Sequence, residues 1–188
     1  MNSALKYKVL TLAPADLERV CRKLEARIVA DGLCPDMVLT IAHGGNFVGE
    51  YIFPSVGHVA TMAQRSSTKY KKGFFRLMMR LLPAGVKDRL RIAEARRLRK
   101  HPGAAPQVTL PPLPDKGTLL VVDDAVDSGR TLRAVLESIA REHPDLRVKS
   151  AVVTVTAPRP EAMPDYCMFN DGTLVRFPWS ADYDYKEV

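Results

Sequence analysis

Thr118-Leu119-Leu120-Val121-Val122-Asp123-Asp124-Ala125-Val126-Asp127-Ser128-Gly129-Arg130-Thr131-Leu132 is the stretch whose reading decides the fold. Four apolar residues in a row, Leu119 to Val122, read as a strand buried on both faces. Asp123 and Asp124 stand where that strand is expected to end. A short loop, Asp127 to Thr131, leads into a helix. Its apolar stripe is Leu132, Val135, Leu136, Ile139 and Ala140, spaced i, i+3, i+4, i+7, i+8. Acids thus stand at the carboxyl edge of a sheet, beside a loop of hydroxyl and glycine residues that opens a helix. In open α/β sheets that edge is where ligands bind.

The residue types narrow the ligand. Gly129 lets backbone approach a bound group closely. Ser128 and Thr131 supply hydroxyls, and the free N–H groups and dipole of the helix start favour an anion. A phosphate monoester suits that cradle. Arg130 either adds a charge-assisted contact or points to solvent. Asp123 and Asp124 repel phosphate and call for another partner, sugar hydroxyls or a hydrated Mg²⁺. A phosphorylated ribose with a metal-bound anionic second end combines all of these features.

Val121 to Thr131 resembles the phosphoribosyl-pyrophosphate (PRPP) motif of the type I phosphoribosyltransferases: an apolar run, an acid pair, a third acid, then Ser-Gly-x-Thr. The resemblance implies an α/β fold, an open, mainly parallel sheet flanked by helices, with a small C-terminal hood. It implies that Asp123 and Asp124 hold the ribose hydroxyls or their Mg²⁺, and that Asp127, Ser128, Gly129, Arg130 and Thr131 hold the 5′-phosphate. Asp127 would lie near the reacting atoms as the acid/base. Residues 36–50 are similar to the family's pyrophosphate loop, a short apolar strand meeting Gly44 and Gly45, whose amides would face the diphosphate. His43 stands there in place of a Lys or Arg and is either a pyrophosphate contact or a turn residue.

The C-terminal part, Val152 to Pro158 and then Phe177-Pro178-Trp179, is similar to purine-type members, above all compact hypoxanthine and xanthine enzymes. Phe177 or Trp179 would stack on an acceptor base or else close the core. One departure concerns the acceptor. Purine-type members carry a Lys before the proline that aligns with Pro158, and here that residue is Ala157, leaving Arg159 as the substitute.

At 188 residues one domain is the natural count. No run of about 18 apolar residues offers a membrane span, and Met1 to Leu12 lacks the layout of an export signal. Cys21, Cys34 and Cys167 are odd in number and scattered, which suits a reducing cytoplasm rather than a disulfide framework. Cys21 falls on the apolar face of an expected helix that has Pro14 in its first turn and Leu17, Val20, Leu24 and Ile28 alongside, with Gly32 at its end. Strands are expected at 37–41 and from Val56 to Met62.

The basic character of the chain is local. Residues 65–101 carry 13 Lys or Arg against Asp88 and Glu94, a net +11 in a chain whose total is +7, so the remainder is net acidic. A basic, partly apolar helical insertion is therefore expected at about 65–105. Phe74, Phe75, Leu77, Met78, Met79, Leu81 and Leu82 form a helix-like run broken by Arg76 and Arg80 and ended by Pro83. Residues 86–100 form a second, Arg-rich helix. Five prolines between Pro102 and Pro114 mark an extended linker. By resemblance, Arg65 and Lys69 sit where a mobile loop would meet pyrophosphate. The apolar run 74–82 packs as a lid or dimer helix, or touches an anionic membrane surface. Nucleic acid is disfavoured as a partner, because the aromatics cluster apart from the densest arginines.

The expected activity is Mg²⁺-dependent transfer of phosphoribose from PRPP to a small acceptor, in first place a purine base, by a cytoplasmic enzyme that forms a homodimer as the family commonly does. Two alternatives stand beside it: transfer to a non-nucleobase, lipid-linked acceptor, suggested by 74–82, and a PRPP-sensing regulator that binds RNA through 86–100.

Overall fold

The computed structural model of the chain describes residues 7–64, 82–100 and 106–183. In chain order the elements are β1 (Lys8–Thr11), α1 (Pro14–Ala30), β2 (Met37–Ile41), α2 (Gly44–Gly49), β3 (Gly57–Gln64), α3 (Ala84–Lys100), β4 (Gln107–Thr109), β5 (Gly117–Val126), α4 (Arg130–Glu142), β6 (Leu146–Val155), β7 (Tyr166–Phe169) and β8 (Thr173–Arg176). Six strands form one sheet in the order β4-β3-β2-β5-β6-β7. All of its pairs are parallel except β3 with β4. The edge strand β4 lies inside what the prolines suggest is only a linker. β1 and β8 make a separate parallel pair, the hood.

The apolar strands divide their side chains between two cores, as a period of two requires. Val38, Leu120, Val122, Ala151 and Val153 meet Leu17, Cys21, Leu24 and Ile28 of α1, Val48 of α2, and Val175 and Phe177 of the hood. Leu39, Ile41, Leu119, Val121 and Val152 meet Leu132, Val135 and Ile139 of α4. The α4 stripe is thus realised, except that Ala140 at its margin is exposed. Cys21 is fully buried, and burial pushes its thiol up to about 12.

One expectation needs correction. β5 does not end at the acids but runs through them to Val126, because β6 keeps pairing, Asp123 with Val152 and Val126 with Val155. On the other side the ladder with β2 stops at Thr40 opposite Val122. The sheet therefore opens between β2 and β5 at the acid pair. A run of apolar residues marks where a strand is buried, whereas one-sided pairing carries it further.

The Arg-rich helix is present as α3, and it is tied to the hood by an ion cluster with a buried Arg176–Asp182 pair at its centre. Arg176 and Asp182 are each 4% exposed. Arg176 donates through Nε to Asp182 at 2.9 Å, through Nη1 to Thr11 at 3.0 Å, and through Nη2 to Asp88 of α3. Arg91 of α3 donates through Nε to Asp182 at 3.2 Å and through Nη1 to the Val175 carbonyl at 2.8 Å. Asp182, an acid of a type ordinarily solvated, is here a buried ion-pair partner. The apolar run 74–82, apart from Leu82, lies outside the described residues, as do Arg65 and Lys69. Among the described residues no helix is long and apolar enough to cross a membrane.

Burial alone would raise the Asp182 carboxyl, but hydrogen bonds and charge from Arg91 and Arg176 hold it below the ordinary carboxylate value. A carboxyl whose pKa is lower in the folded chain adds stability above the unfolded-state value and loses it as pH falls toward the folded one. Asp182→Asn leaves the buried Arg176 guanidinium and the partly buried Arg91 short of their counter-charge and is expected to destabilise the fold by about 3 kcal/mol at neutral pH in urea denaturation. The gap between variant and wild type should narrow as pH falls below about 4.

Candidate functional site

The crevice begins where β2 lets go of β5. The Asp124 N–H, which has no β2 residue opposite it, donates to Asp123 Oδ1 at 2.9 Å. Immediately after β2 the chain turns through a cis peptide between Ala42 and His43 into α2. That turn brings Gly44 and Gly45 directly against β5. A Cβ on Gly44 would collide with the Asp124 carboxylate, and one on Gly45 would sit 2.6 Å from the Val122 carbonyl oxygen. The expected pyrophosphate loop and the acid pair are thus neighbours, and glycine is needed because β5 leaves no room for a side chain. His43 is exposed at the start of α2.

The loop after β5 is held in place by the segment that follows β6. Gly129 caps α4 in a left-handed conformation, φ 79°. A Cβ there would fall 2.6 Å from the Ala162 nitrogen, and the Glu161 N–H donates to the Ser128 carbonyl at 2.8 Å. Asp123, Ala125, Val126, Asp127, Gly129, Thr131 and Leu132 line one small open depression. Asp123, Asp127 and the Gly129–Thr131 turn therefore share one concave surface at the N-terminus of a 13-residue helix. Arg130, whose sequence role was open, forms an ion pair with Glu161 at 3.2 Å, and Arg133 approaches the same carboxylate at 3.6 Å.

Thr156 is a residue that sequence reasoning missed. It follows the last paired residue of β6, and its hydroxyl donates to Asp127 Oδ1 at 2.7 Å. Because Val126 pairs with Val155, the next residues of both strands stand side by side. Alignment of the two strand ends is the signal that would have found it.

The acids of the pair have different surroundings. Asp123 lines the depression, whereas Asp124 faces α2 and the hood, where Trp179 Nε1 donates to its Oδ2 at 3.1 Å. Burial pushes the Asp124 carboxyl above its ordinary value; hydrogen bonds from Trp179, Asp123 and the Ala125 N–H oppose that, and the nearby Asp127 charge adds to it. Trp179 stacks with Phe47 of α2, with centroids 4.6 Å apart, and with Phe177 at 4.8 Å. Phe47 is the second residue the sequence reading missed. Phe177 is buried and Phe47 is 41% exposed. Arg159 is exposed on the β6 exit loop.

The donor set can be judged for a divalent cation. Among the described residues no three His, Cys, Asp or Glu side chains converge as a metal cage. Asp123 still presents carboxylate oxygen to the crevice, which fits a hard cation that keeps water and substrate oxygens as most of its ligands. The buried Asp124, already bonded to an indole, fits direct coordination less well.

A model of the phosphoribosyl transferase domain matches residues 12–186, and the chain belongs to that family. Its reaction class is accordingly phosphoribosyl transfer. Solved structures share the fold. A purine phosphoribosyltransferase from Pyrococcus horikoshii is 19% identical, with 91% of this chain and 93% of that one covered and a TM-score of 0.60. The xanthine-guanine-hypoxanthine phosphoribosyltransferase of Helicobacter pylori is 16% identical, with coverages of 92% and 93% and a TM-score of 0.64. A Neisseria gonorrhoeae hypothetical protein with bound ppGpp is also 16% identical, with coverages of 93% and 90% and a TM-score of 0.63. No curated protein matches the sequence.

The packing at Gly44 makes a direct prediction. Gly44→Ala must displace the Asp124 carboxylate or the α2 turn, and should lower stability by about 1–3 kcal/mol in thermal or urea denaturation. Gly85→Ala, at an open position on α3, should cost nothing.

Proposed function

We propose that the protein is a Mg²⁺-dependent phosphoribosyltransferase that transfers phosphoribose from PRPP to a purine base and releases pyrophosphate. The observation that carries this reading is the shared concave surface of Asp123, Asp127 and the Gly129–Thr131 turn, set beside the Gly44–Gly45 turn across the opening between β2 and β5. A ribose 5-phosphate fits it with the phosphate at the start of α4 and the hydroxyls at the acids. His43, Gly44 and Gly45 then serve the diphosphate, a role that family resemblance extends to Arg65 and Lys69. Purine as acceptor is supported by the names of the structural neighbours from Pyrococcus horikoshii and Helicobacter pylori.

In this mechanism the acceptor nitrogen forms a bond to C1 of the ribose as the bond from C1 to the diphosphate oxygen breaks, and the electron pair leaves with pyrophosphate. Positive charge builds on the ring in the transition state, and the negative charges of Asp123 and Asp124 favour it. Asp127 accepts the proton the acceptor loses. Thr156 holds Oδ1 of that carboxylate, leaving Oδ2 for the proton. Phosphate binding at Ser128 to Thr131 supplies binding energy remote from C1 that orients it. Mg²⁺, when bound, neutralises charge on the diphosphate. The acceptor ring meets the aromatic cluster at Phe47, its most exposed ring, since Trp179 is already stacked with Phe47 and Phe177.

A second reading, transfer to a non-nucleobase acceptor, is favoured by Ala157 in place of the base-reading Lys and by Val86 and Leu90, 39% and 44% exposed one turn apart on α3.

Pyrophosphate release measured with PRPP, Mg²⁺ and a panel of hypoxanthine, xanthine, guanine and adenine separates these readings. At least one base should support turnover, and Asp127→Asn should lower kcat by about 100-fold or more while PRPP binding by calorimetry persists. PRPP binding with no active base would turn the assignment to another acceptor. No PRPP binding at all would overturn it.

A further inference from the structure

The hood loop that carries Trp179 is fixed at both ends by α3. Arg176 precedes it and Asp182 follows it, and both belong to the buried ion cluster. Arg91 and Asp88 stand three residues apart on one face of α3. Arg91 bonds Asp182 and the Val175 carbonyl, and Asp88 bonds Arg176. Between the anchors the chain closes a tight turn: the Ser180 N–H donates to the Phe177 carbonyl at 2.9 Å, and the Phe177 N–H to Ser180 Oγ at 3.0 Å. Trp179 sits inside that turn and has little freedom of its own.

Trp179 itself has one polar atom, and it is committed. Its indole N–H reaches Asp124 Oδ2, and its ring is already stacked with Phe47 and with Phe177 at interplanar angles of 15° and 9°. Ring centroids below 5 Å leave no space for a third aromatic ring between them. Trp179 is therefore built to hold a carboxylate rather than to receive an acceptor. The Gly44 turn closes the same carboxylate from the α2 side.

We propose that Trp179 is a positioning residue that orients Asp124, and that α3 sets Trp179 in place through Arg91 and Asp88. The inference rests on the reading above, in which Asp124 serves the ribose of PRPP. The described helix of the basic insertion thereby acquires a definite role, since two of its charges brace the hood and, through one indole, the acid pair. An acid oriented before substrate arrives does not have to be ordered during binding, which favours productive seating of the ribose.

Trp179 is the only tryptophan in the chain, so emission excited at the long-wavelength edge of the indole band and the indole bands of the near-ultraviolet circular dichroism report on this position apart from the six tyrosines. The test combines these spectra with steady-state kinetics. Trp179→Phe keeps an aromatic ring in the stack and deletes the N–H. It should lower kcat/KM for PRPP about tenfold while the acceptor KM stays within twofold. Arg91→Met, and Asp88→Asn as the milder second variant, should each diminish the Trp179 dichroism band by half or more and lower kcat/KM for PRPP in the same way. Combining Asp88→Asn with Trp179→Phe should add little to either alone, as two steps of one path require. Asp124→Ala should shift Trp179 emission with no substrate present.

An acceptor KM that rises in Trp179→Phe while the PRPP terms hold would make Trp179 an acceptor platform and overturn the proposal. So would a folded Asp88→Asn or Arg91→Met protein with an unchanged tryptophan spectrum, or an emission indifferent to Asp124→Ala. If wild-type protein binds no PRPP by calorimetry, the functional reading fails, and the substrate-free spectra still decide separately whether α3, Trp179 and Asp124 are linked.

Discussion

The parting of β2 from β5 after Val122 is the constraint on which the rest of the site depends. Had the ladder continued, the backbone of Asp123 to Val126 would be covered on both edges and no ligand could approach it. Because β6 continues to pair, these residues stay extended and ordered while one edge is free. The free edge is met at once by the Gly44–Gly45 turn, and the strand end by the Gly129 turn. Each of these turns is packed too closely against its neighbour to admit a methyl group. Two glycine-bearing turns and one half-released strand enclose the crevice.

The alternation of β5 then gives adjacent acids different surroundings. Leu119 and Val121 face the α4 side, and Leu120 and Val122 face α1, α2 and the hood. Asp123 consequently joins Asp127 and the helix start, and Asp124 joins Gly44 and Trp179. A carboxylate pair that looks equivalent in a linear motif becomes one member open to the crevice and one desolvated member under an indole.

Much of this was legible from residues 118–132, where a continuous apolar run, an acid pair and a glycine before an amphipathic stripe each carry a local signal. The same holds for α1, whose apolar face and flanking Pro14 and Gly32 declare it. What the sequence could not show arises from contacts between distant segments. Thr156 beside Asp127 follows from the β5–β6 register, and Phe47 against Trp179 from the docking of α2 on the hood. The burial of Asp182 has no local signal either, because it becomes tolerable only when Arg91 arrives from α3 to join the nearby Arg176. The charge of residues 65–101 had the opposite fault: as a block it suggests an external partner, yet Asp88 and Arg91 within it look inward.

The hood joins strands from opposite ends of the sequence, with Lys8 aligned to Thr173 and Thr11 to Arg176. During synthesis β1 emerges before the other strands of the fold and has no mate until Thr173 to Arg176 have been made. The central sheet, by contrast, gathers neighbours as translation proceeds, apart from the late edge β7. Closure over the crevice thus comes after the strands of the central sheet have emerged, and it is governed by the slow search that widely separated pairings entail. A nascent chain caught before that moment would possess the phosphate turn of α4 but lack its indole-bearing roof.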